Sequence, residues 1–386
     1  MYFDRIIPFT MPTKIIHGLG SLKFIPEECQ RLGIHKAIIV TDEGLVKAGV
    51  VQEVLKILEG AHIPFVVYDK VEEDPCMKTV HEGEKVRQAE GCDGVIVVGG
   101  GSPLCAGKGI ALLATNGGKI ADYQGVGKAK KAPLAFIGIP TTAGSGSEVS
   151  PTFLLSNEET QTKIAIGSDQ GYPPTAILDP ILLRFLPARQ AVWSGLDALS
   201  HAVESLCTNL STPLTDAIAL RSIQMMFRSL ASAAFTDDMS AKSEQLLASA
   251  MANISCGNTK LGLVHAFSFP FGNLHVPHGL ACGLMLPFVM EYNLPSCKAK
   301  FAELAVSIGE RADLTEDELA YKAIERIKKL YVELGFPTRV TEKEIPRAKL
   351  DQVVKEAAAA SQVKFNVRRA TEKDFFWIME RSYQGF

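Results

Sequence analysis

The chain has 386 residues, the length of two to three domains of ordinary size, which excludes a single small module. Its 40 lysines and arginines against 43 aspartates and glutamates leave a formal net charge of −3, so no cationic excess is available to attract nucleic acid or an anionic membrane. Hydrophobic residues make up 47% and charged residues 22%, a balance that fits a compact core and argues against long disordered segments.

Targeting signals and cysteine spacing bear on the compartment of the protein. The chain begins without an apolar run behind a basic start, and it contains no uninterrupted apolar run of about 18 residues. Its eight cysteines are scattered without CxxC or CxC spacing, as is typical of reduced thiols in a large intracellular chain. We therefore expect a cytoplasmic protein with neither a membrane partner nor a nucleic-acid partner.

The first 180 residues alternate short apolar runs with amphipathic stretches. Four runs have the length of buried parallel strands: residues 36–42, 64–68, 94–98 and 134–139. Helical periodicity occupies residues 50–58 and 79–90, between these runs. The resulting βαβα order predicts an α/β domain with a parallel sheet, in which ligands bind at the carboxyl ends of the strands.

After Leu178-Asp179-Pro180 the character of the sequence changes. Long segments rich in alanine and leucine follow at helical period, with no convincing strand among them: residues 197–210, 213–234, 240–256 and 316–333. This predicts an all-helical second half. We place the two domains at residues 1–183 and 184–386.

Two glycine-rich turns follow predicted strands. The first is GGGSP at residues 99–103, and the second is TTAGSGSE at residues 141–148. Glycines between a strand and a helix allow the backbone to approach a pyrophosphate, and the helix start offers unpaired N–H groups. Either turn alone could be a plain connection that needs glycine for its conformation. Together, at the ends of parallel strands, they favour a nucleotide site.

Asp42 ends the first of the predicted buried strands. A carboxylate in this position can accept hydrogen bonds from the adenosine ribose and would repel a 2′-phosphate, which favours NAD over NADP. The same residue could simply cap the helix that follows. Both interpretations stay open at this stage.

Four of the eight histidines lie between His201 and His278. Asp197 and His201 are four residues apart in a helical segment, so their side chains share one face. With His265 and His278 they supply three nitrogens and one oxygen, a set suited to a divalent transition metal with open positions. Each histidine taken singly could instead be a hydrogen-bonded core residue.

Five sequence blocks, taken in order, resemble the iron-containing (group III) alcohol dehydrogenases: GGGSP, TTAGSGSE, GLDALSHAVES, GLVHA and PHGLA. The resemblance covers almost the whole chain. It implies the dehydroquinate synthase-like fold, with an α/β N-terminal dinucleotide-binding domain and an all-α C-terminal domain. It also implies NAD(P) as cofactor, a divalent metal, and an alcohol or aldehyde as the small-molecule substrate. With Asp42 at the ribose position we expect NAD, and the Asp/His set accepts Fe²⁺ or alternatively Zn²⁺.

The resemblance assigns roles to individual positions. The four metal ligands of the family correspond to Asp197, His201, His265 and His278. The cofactor contacts correspond to Asp42, Gly100, Gly101, Ser102, Thr141, Thr142 and Lys163. A divalent metal lowers the pKa of an alcohol that it binds, so that hydride can pass to NAD⁺, and in reverse it polarises an aldehyde carbonyl.

Three departures from the family pattern concern the pocket. Phe269 occupies the place of a histidine that serves many members as a candidate proton relay. Proton exchange would then pass through His275, a ribose hydroxyl or water, or be slower, and His275 is our candidate. Cys105 replaces the aspartate of the family's GGGSxxD block. The loop from His265 to His278 is one residue shorter than the commonest spacing.

Lys260 stands five residues before His265, where many relatives have a small residue. It is either a solvated helix lysine or a second catalytic-pocket residue whose ammonium pairs with the anionic tail of a short aldehyde, such as a sulfonate, phosphonate or carboxylate.

Two other classes of function compete with a dehydrogenase. One is a metal-dependent lyase or cyclase on the related dehydroquinate-synthase-like scaffold, and the other is an inactive nucleotide-binding structural protein. The resemblance also implies a homodimer or larger homo-oligomer, often formed through the N-terminal strand, here YFDRIIPF at residues 2–9. Exposed apolar residues in that segment would fit pairing with another chain.

Overall fold

The structure is a computed structural model that describes residues 6–160 and 162–386. The chain divides into two compact units. One is Met11–Leu186, and the other is Pro187–Phe386 together with the described residues 6–10. Thr10 joins the second unit through two hydrogen bonds with Asn258, one donated by its N–H at 2.7 Å and one accepted by its carbonyl at 3.1 Å.

The first unit is built on a six-stranded sheet in which every pairing is parallel, with the order β1-β9-β6-β4-β2-β3. Its strands are β1 (Lys14–His17), β2 (Ala37–Val40), β3 (Phe65–Tyr68), β4 (Gly94–Gly99), β6 (Phe136–Pro140) and β9 (Thr175–Leu178). The four predicted strands are confirmed as β2, β3, β4 and β6. Central strands β2 and β4 are buried throughout, as expected for a parallel sheet covered on both faces.

Five helices accompany this sheet: α1 (Ile25–Leu32), α2 (Glu43–Lys47), α3 (Val50–Gly60), α4 (Met77–Ala89) and α5 (Gly101–Asn116). The predicted helices at 50–58 and 79–90 correspond to α3 and α4. Helix α5 packs so closely on β4 that a Cβ at Gly107 would lie 2.2 Å from Val97 Cγ2. Glycine is therefore required at that position for the helix to approach the strand.

A second, three-stranded sheet belongs to the same unit, with the order β5-β8-β7. Its strands are β5 (Gly125–Val126), β7 (Thr152–Asn157) and β8 (Thr162–Gly167). Strands β7 and β8 form an antiparallel pair. The sequence analysis did not predict these three strands. It also did not predict β1 and β9 of the large sheet, because such short runs carry little periodicity.

The second unit is helical, as predicted. Its helices are α6 (Ala188–Leu206), α7 (Pro213–Phe235), α8 (Met239–Thr259), α9 (Leu263–Asn273), α10 (His278–Ser307), α11 (Glu316–Glu333), α12 (Leu350–Ala358) and α13 (Glu372–Gln384). The predicted helix 316–333 coincides with α11, which begins with a capping box between Thr315 and Glu318. Within the described part of the chain, no helix combines the length and apolar character needed to cross a membrane.

The N-terminal segment YFDRIIPF was expected to form a strand. Its residues 2–5 lie outside the described residues. Residues 6–9 have no regular secondary structure, and the Ile6 side chain is fully exposed.

Candidate cofactor and metal sites

The carboxyl edge of the large sheet gathers most of the predicted cofactor residues. Strand order reverses between β2 and β4, which pair with each other from Ala37–Gly94 to Val40–Val97. A crevice for ligands forms at such a reversal in open α/β sheets. Asp42 follows β2, and Gly100 follows β4. Thr141 follows β6, whose Pro140 lies opposite Gly99.

The two glycine-rich turns lie directly against each other. A Cβ at Gly100 would be 3.2 Å from Thr142 Cγ2, and one at Gly101 would be 3.4 Å from Ser145 Cβ. Gly100 is also the N-cap of the 16-residue helix α5, and none of the side chains that the structure describes caps that helix. The N–H groups of its first turn are therefore available to an anion, and the helix dipole favours negative charge there.

Asp42 is the N-cap of α2, where its Oδ1 accepts a hydrogen bond from the Leu45 N–H at 2.9 Å. The capping interpretation is thus correct as local structure. Among the residues that the structure describes, only Oδ1 of this carboxylate is hydrogen-bonded, so its second oxygen can also accept from a ribose hydroxyl.

Ser102 and Lys163 are connected through Asp74, a residue that sequence reasoning missed. The Asp74 N–H donates to Ser102 Oγ at 3.2 Å, and Lys163 Nζ donates to Asp74 Oδ1 at 2.8 Å. Asp74 has a left-handed backbone with φ of 55°. No spacing in the sequence pointed to Asp74, because it lies in an irregular segment and both partners are distant along the chain.

A buried pair of opposite charge is formed by Lys108 on α5 and Glu148, the last residue of the second glycine-rich turn. Lys108 on α5 donates to Ser147 Oγ at 2.8 Å and to the Thr152 carbonyl at 3.2 Å. Burial lowers the pKa of Lys108 to about 8 and raises the pKa of Glu148 to about 7. Both groups therefore titrate near neutral pH because desolvation disfavours their charged forms.

The four predicted metal ligands come together in the helical unit. Asp197 and His201 lie one turn apart on α6, His265 lies on α9, and His278 is the first residue of α10. Asp197 Oδ1 is 3.4 Å from His278 Nε2, 3.6 Å from His265 Nε2 and 3.8 Å from His201 Nε2. Ligand atoms placed tetrahedrally at about 2.1 Å from an ion are about 3.4 Å apart, so these separations suit a shared metal.

The carboxylate of Asp197 supplies a test of whether this donor set suits a cation. Its Oδ1 is buried and has no hydrogen-bond partner among the described residues. A buried anionic oxygen without a partner is costly, and a divalent ion among the histidine nitrogens would satisfy it. Although burial opposes ionisation, His201, His278 and His265 hold the pKa of Asp197 well below its usual range. The residues present therefore fit a divalent metal.

Glu204 orients one of the histidines. Its Oε2 lies 2.7 Å from His265 Nδ1, and its Oε1 accepts from the Val264 N–H at 2.6 Å. With Nδ1 bonded to the carboxylate, Nε2 of the same ring faces Asp197. Histidine ligands of metals commonly have such a carboxylate partner, which fixes the tautomer. The signal was present in the block GLDALSHAVES, since Glu204 lies about two turns after Asp197 on the same helix.

Sequence reasoning missed Cys282 in this cluster, as it missed Glu204. Its Sγ is 3.6 Å from His278 Nε2 and 3.7 Å from His265 Nε2. The ligand atoms of Asp197, His265, His278 and Cys282 all lie within 4.8 Å of one another. The available signal was the spacing, because a residue four positions after His278 shares its helix face.

The two predicted catalytic residues, Lys260 and His275, make no hydrogen bond to the metal-ligand residues within the described part of the chain. Lys260 Nζ donates to the Gly257 carbonyl at 3.3 Å, at the end of its own helix, and its backbone φ is 66°. His275 is exposed, with a φ of 61°. Among the described residues, no hydrogen bond joins the His275 ring to a ligand residue.

With this geometry in place, comparison with known proteins defines the class of protein. Residues 12–180 match the family described as iron-containing alcohol dehydrogenase, and residues 191–383 match its C-terminal domain. The 1,3-propanediol dehydrogenase of Citrobacter freundii is 34% identical over 384 residues, covering 98% of this chain and 99% of that protein. The crystal structure of a 1,3-propanediol oxidoreductase is also similar, with a TM-score of 0.95, 33% identity and coverage of 98% and 100%.

A third similar protein is the sulfoacetaldehyde reductase of Bifidobacterium kashiwanohense, solved in complex with NAD⁺. Its TM-score is 0.87 at 27% identity, with coverage of 97% of this chain and 98% of that one. This chain belongs to the iron-containing alcohol dehydrogenase family. Its activity is accordingly alcohol and aldehyde oxidoreduction, and its parallel-sheet unit followed by a helical unit is the fold of that family.

Proposed function

We propose that this chain is an NAD-dependent, divalent-metal-dependent alcohol dehydrogenase or aldehyde reductase. It would transfer hydride between nicotinamide and a short-chain alcohol or aldehyde in the cytoplasm. The single observation that carries the proposal is the buried Asp197 Oδ1, which has no hydrogen-bond partner among the described residues and lies 3.4–3.8 Å from three histidine nitrogens.

NAD is the proposed cofactor because of the charge at the edge of the sheet. The helix start at Gly101 would bind the pyrophosphate, and Thr142 and Lys163 would contact the cofactor beside it. Asp42 would accept from the ribose hydroxyls, and its negative charge would repel the additional phosphate of NADP. The hydride chemistry itself belongs to the nicotinamide.

Asp197, His201, His265 and His278 would hold the metal, which we propose to be Fe²⁺, with Zn²⁺ as the alternative. When bound, such an ion lowers the pKa of an alcohol and polarises a carbonyl. The His278 side chain is 43% exposed, whereas those of Asp197, His201 and His265 are 6–7% exposed. The substrate would therefore approach from the His278 side. His275, exposed three residues earlier, would carry the proton to or from solvent.

An anionic substrate is a second candidate, favoured by the exposed ammonium of Lys260 beside the segment that leads to His265. The sulfoacetaldehyde reductase among the similar structures acts on an aldehyde of this class. The test compares acetaldehyde with a short anionic aldehyde in the wild type and in Lys260→Ala. A selective loss on the anionic aldehyde supports the pairing, and equal losses on both exclude it.

The experiment for the main proposal begins with protein stripped of metal and reloaded with Fe²⁺ or Zn²⁺. NADH consumption is then measured with a panel of neutral and anionic aldehydes. We expect consumption that depends on the metal and on the aldehyde. Bound metal without NADH consumption would favour a lyase or cyclase, and the absence of both would favour a structural nucleotide-binding protein.

Self-association through the N-terminal segment is part of the proposal. Ile6 and Phe9 are exposed apolar residues of that segment. We expect a homodimer or larger assembly by light scattering. Deletion of residues 2–9 should reduce the number of subunits in the assembly, and an unchanged number would place the interface elsewhere.

A further inference from the structure

We propose that the Cys282 thiolate is an additional ligand of the metal, so that this chain offers a sulfur donor beside the Asp/His set. The inference rests on the metal dependence proposed above. It concerns a donor that the family resemblance did not assign, and it comes from the position of Cys282 in the cluster.

The distances from the sulfur are those of donor atoms that share one ion. A sulfur at about 2.3 Å and a nitrogen at about 2.1 Å from one ion are about 3.6 Å apart when the arrangement is tetrahedral. Cys282 Sγ lies 3.6 Å from His278 Nε2 and 3.7 Å from His265 Nε2. Asp197 Oδ1 completes the set at 3.4 and 3.6 Å from the same two nitrogens.

Hydrogen bonding alone accounts less well for this arrangement. A thiol has one proton, so it can donate to only one of the two histidine nitrogens at a time. It also leaves Asp197 Oδ1, which is buried, without a hydrogen-bond partner among the described residues. A cation bound by these four atoms, with His201 Nε2 as a further donor, would satisfy the carboxylate, the nitrogens and the sulfur together.

Local structure holds the sulfur in position. Cys282 is completely buried and lies one helical turn after His278 on α10, so the two side chains point to the same side of that helix. Glu204 holds the His265 ring from the opposite nitrogen. The sulfur is thus presented by a packed helix and not by a flexible loop.

The chemistry of binding is a ligand exchange without oxidation or reduction. The sulfur donates an electron pair to the cation, the S–H bond is lost, and the proton passes to solvent. Thiolate donors favour Zn²⁺ over Fe²⁺ because Zn²⁺ is the softer partner. The presence of Cys282 should therefore shift the metal preference of this chain toward Zn²⁺.

The test uses full-length protein loaded with Co²⁺, with bound metal measured by elemental analysis. A cobalt–thiolate bond gives an intense near-ultraviolet charge-transfer band, which oxygen and nitrogen ligands do not give. We expect the band in the wild type and its loss in both Cys282→Ser and Cys282→Ala. We also expect the affinity for Zn²⁺ to fall by about tenfold or more in these variants, with a smaller change for Fe²⁺.

Cys297→Ser is the matched control, because Cys297 is a buried thiol on the same helix whose Sγ contacts Cys207 at 3.2 Å. It should retain the band. Bound Co²⁺ without the band, or a band that survives in Cys282→Ser, overturns the inference and leaves the proposed function intact. Failure of the wild type to bind any divalent metal overturns both.

Discussion

Each unit of the molecule buries a carboxylate close to its candidate site, and the two carboxylates behave in opposite ways. Asp197 in the helical unit faces three histidines, which hold its pKa well below the usual range. Glu148 in the α/β unit ends the second glycine-rich turn, and burial raises its pKa to about 7. Asp197 is thus prepared to hold a cation, whereas Glu148 retains a proton up to neutral pH.

The difference reflects how each region can bind a ligand. At the sheet edge the binding groups are backbone N–H groups at the start of α5, which the topology positions and which need no buried charge. In the helical unit the binding groups are side chains from three helices, α6, α9 and α10, and all but His278 are buried. Substitutions should therefore separate the two functions cleanly.

The largest effect is expected from Asp197→Asn, which keeps the shape of the side chain and removes its charge. Loss of the metal should lower aldehyde reduction by about 1,000-fold, since the ion supplies several kcal/mol of transition-state stabilisation. NADH binding, measured by fluorescence titration, should change little, because the sheet edge is untouched. A parallel loss of NADH binding would contradict the separation of the two regions.

Glu204→Gln tests the orienting contact within the helical unit. The amide cannot accept hydrogen bonds from both His265 Nδ1 and the Val264 N–H, because one of its two polar atoms is a donor. Metal affinity, measured by competition with a chelator, should fall by about 10- to 100-fold.

The control for this experiment is Glu291→Gln, which breaks a different carboxylate contact, a 2.6 Å ion pair with Lys328 on the same unit. It should leave metal affinity unchanged. Equal metal affinities in the two variants would show that the contact of Glu204 with His265 does not matter for binding.

Glu148→Gln tests the buried carboxylate of the α/β unit through pH. A carboxyl whose folded-state pKa is raised from 4.5 to about 7 contributes stability below about pH 4.5 and loses that contribution as the pH rises through 7. The wild type should therefore lose about 2 kcal/mol relative to Glu148→Gln between pH 5 and pH 8, measured by urea unfolding.

Glu28→Gln provides a control of opposite sign. Burial opposes its ionisation, but hydrogen bonds from Arg31, Lys14 and Thr175 lower the pKa of Glu28 to about 2. Both its folded and its ordinary pKa lie below pH 5, so this variant should be destabilised by the same amount at pH 5 and pH 8. A pH-independent difference for Glu148→Gln would refute the raised pKa.

Sequence reasoning succeeded where a local pattern determines the structure. Strands such as β4 and helices such as α11 follow from apolar runs, periodicity and caps that lie within the element itself. Helix α6 was expected to continue to residue 210, but it ends at Leu206. Thr208 instead pairs with Asn366, and a contact between residues so far apart in the chain is not visible in the sequence. Cys282 and Asp74 were missed for the same reason: each acquires its partners only when distant segments pack together.

The smallest expected effect separates the two roles of Asp42, and Asp42→Ser is designed to do so. Serine is as good an N-cap as aspartate, so α2 and the unfolding free energy should change by less than about 0.5 kcal/mol. The negative charge is removed, so repulsion of the 2′-phosphate of NADPH should weaken. We expect the ratio of kcat/KM for NADPH to that for NADH to rise by about tenfold, a change of about 1.4 kcal/mol.

Asp42→Ala is the companion variant, which should show the same change in cofactor preference and additionally lose about 1 kcal/mol of stability with the cap. If neither variant alters the cofactor ratio while Asp42→Ala still loses stability, Asp42 is a helix cap alone, and discrimination between NADH and NADPH must come from another residue at the sheet edge.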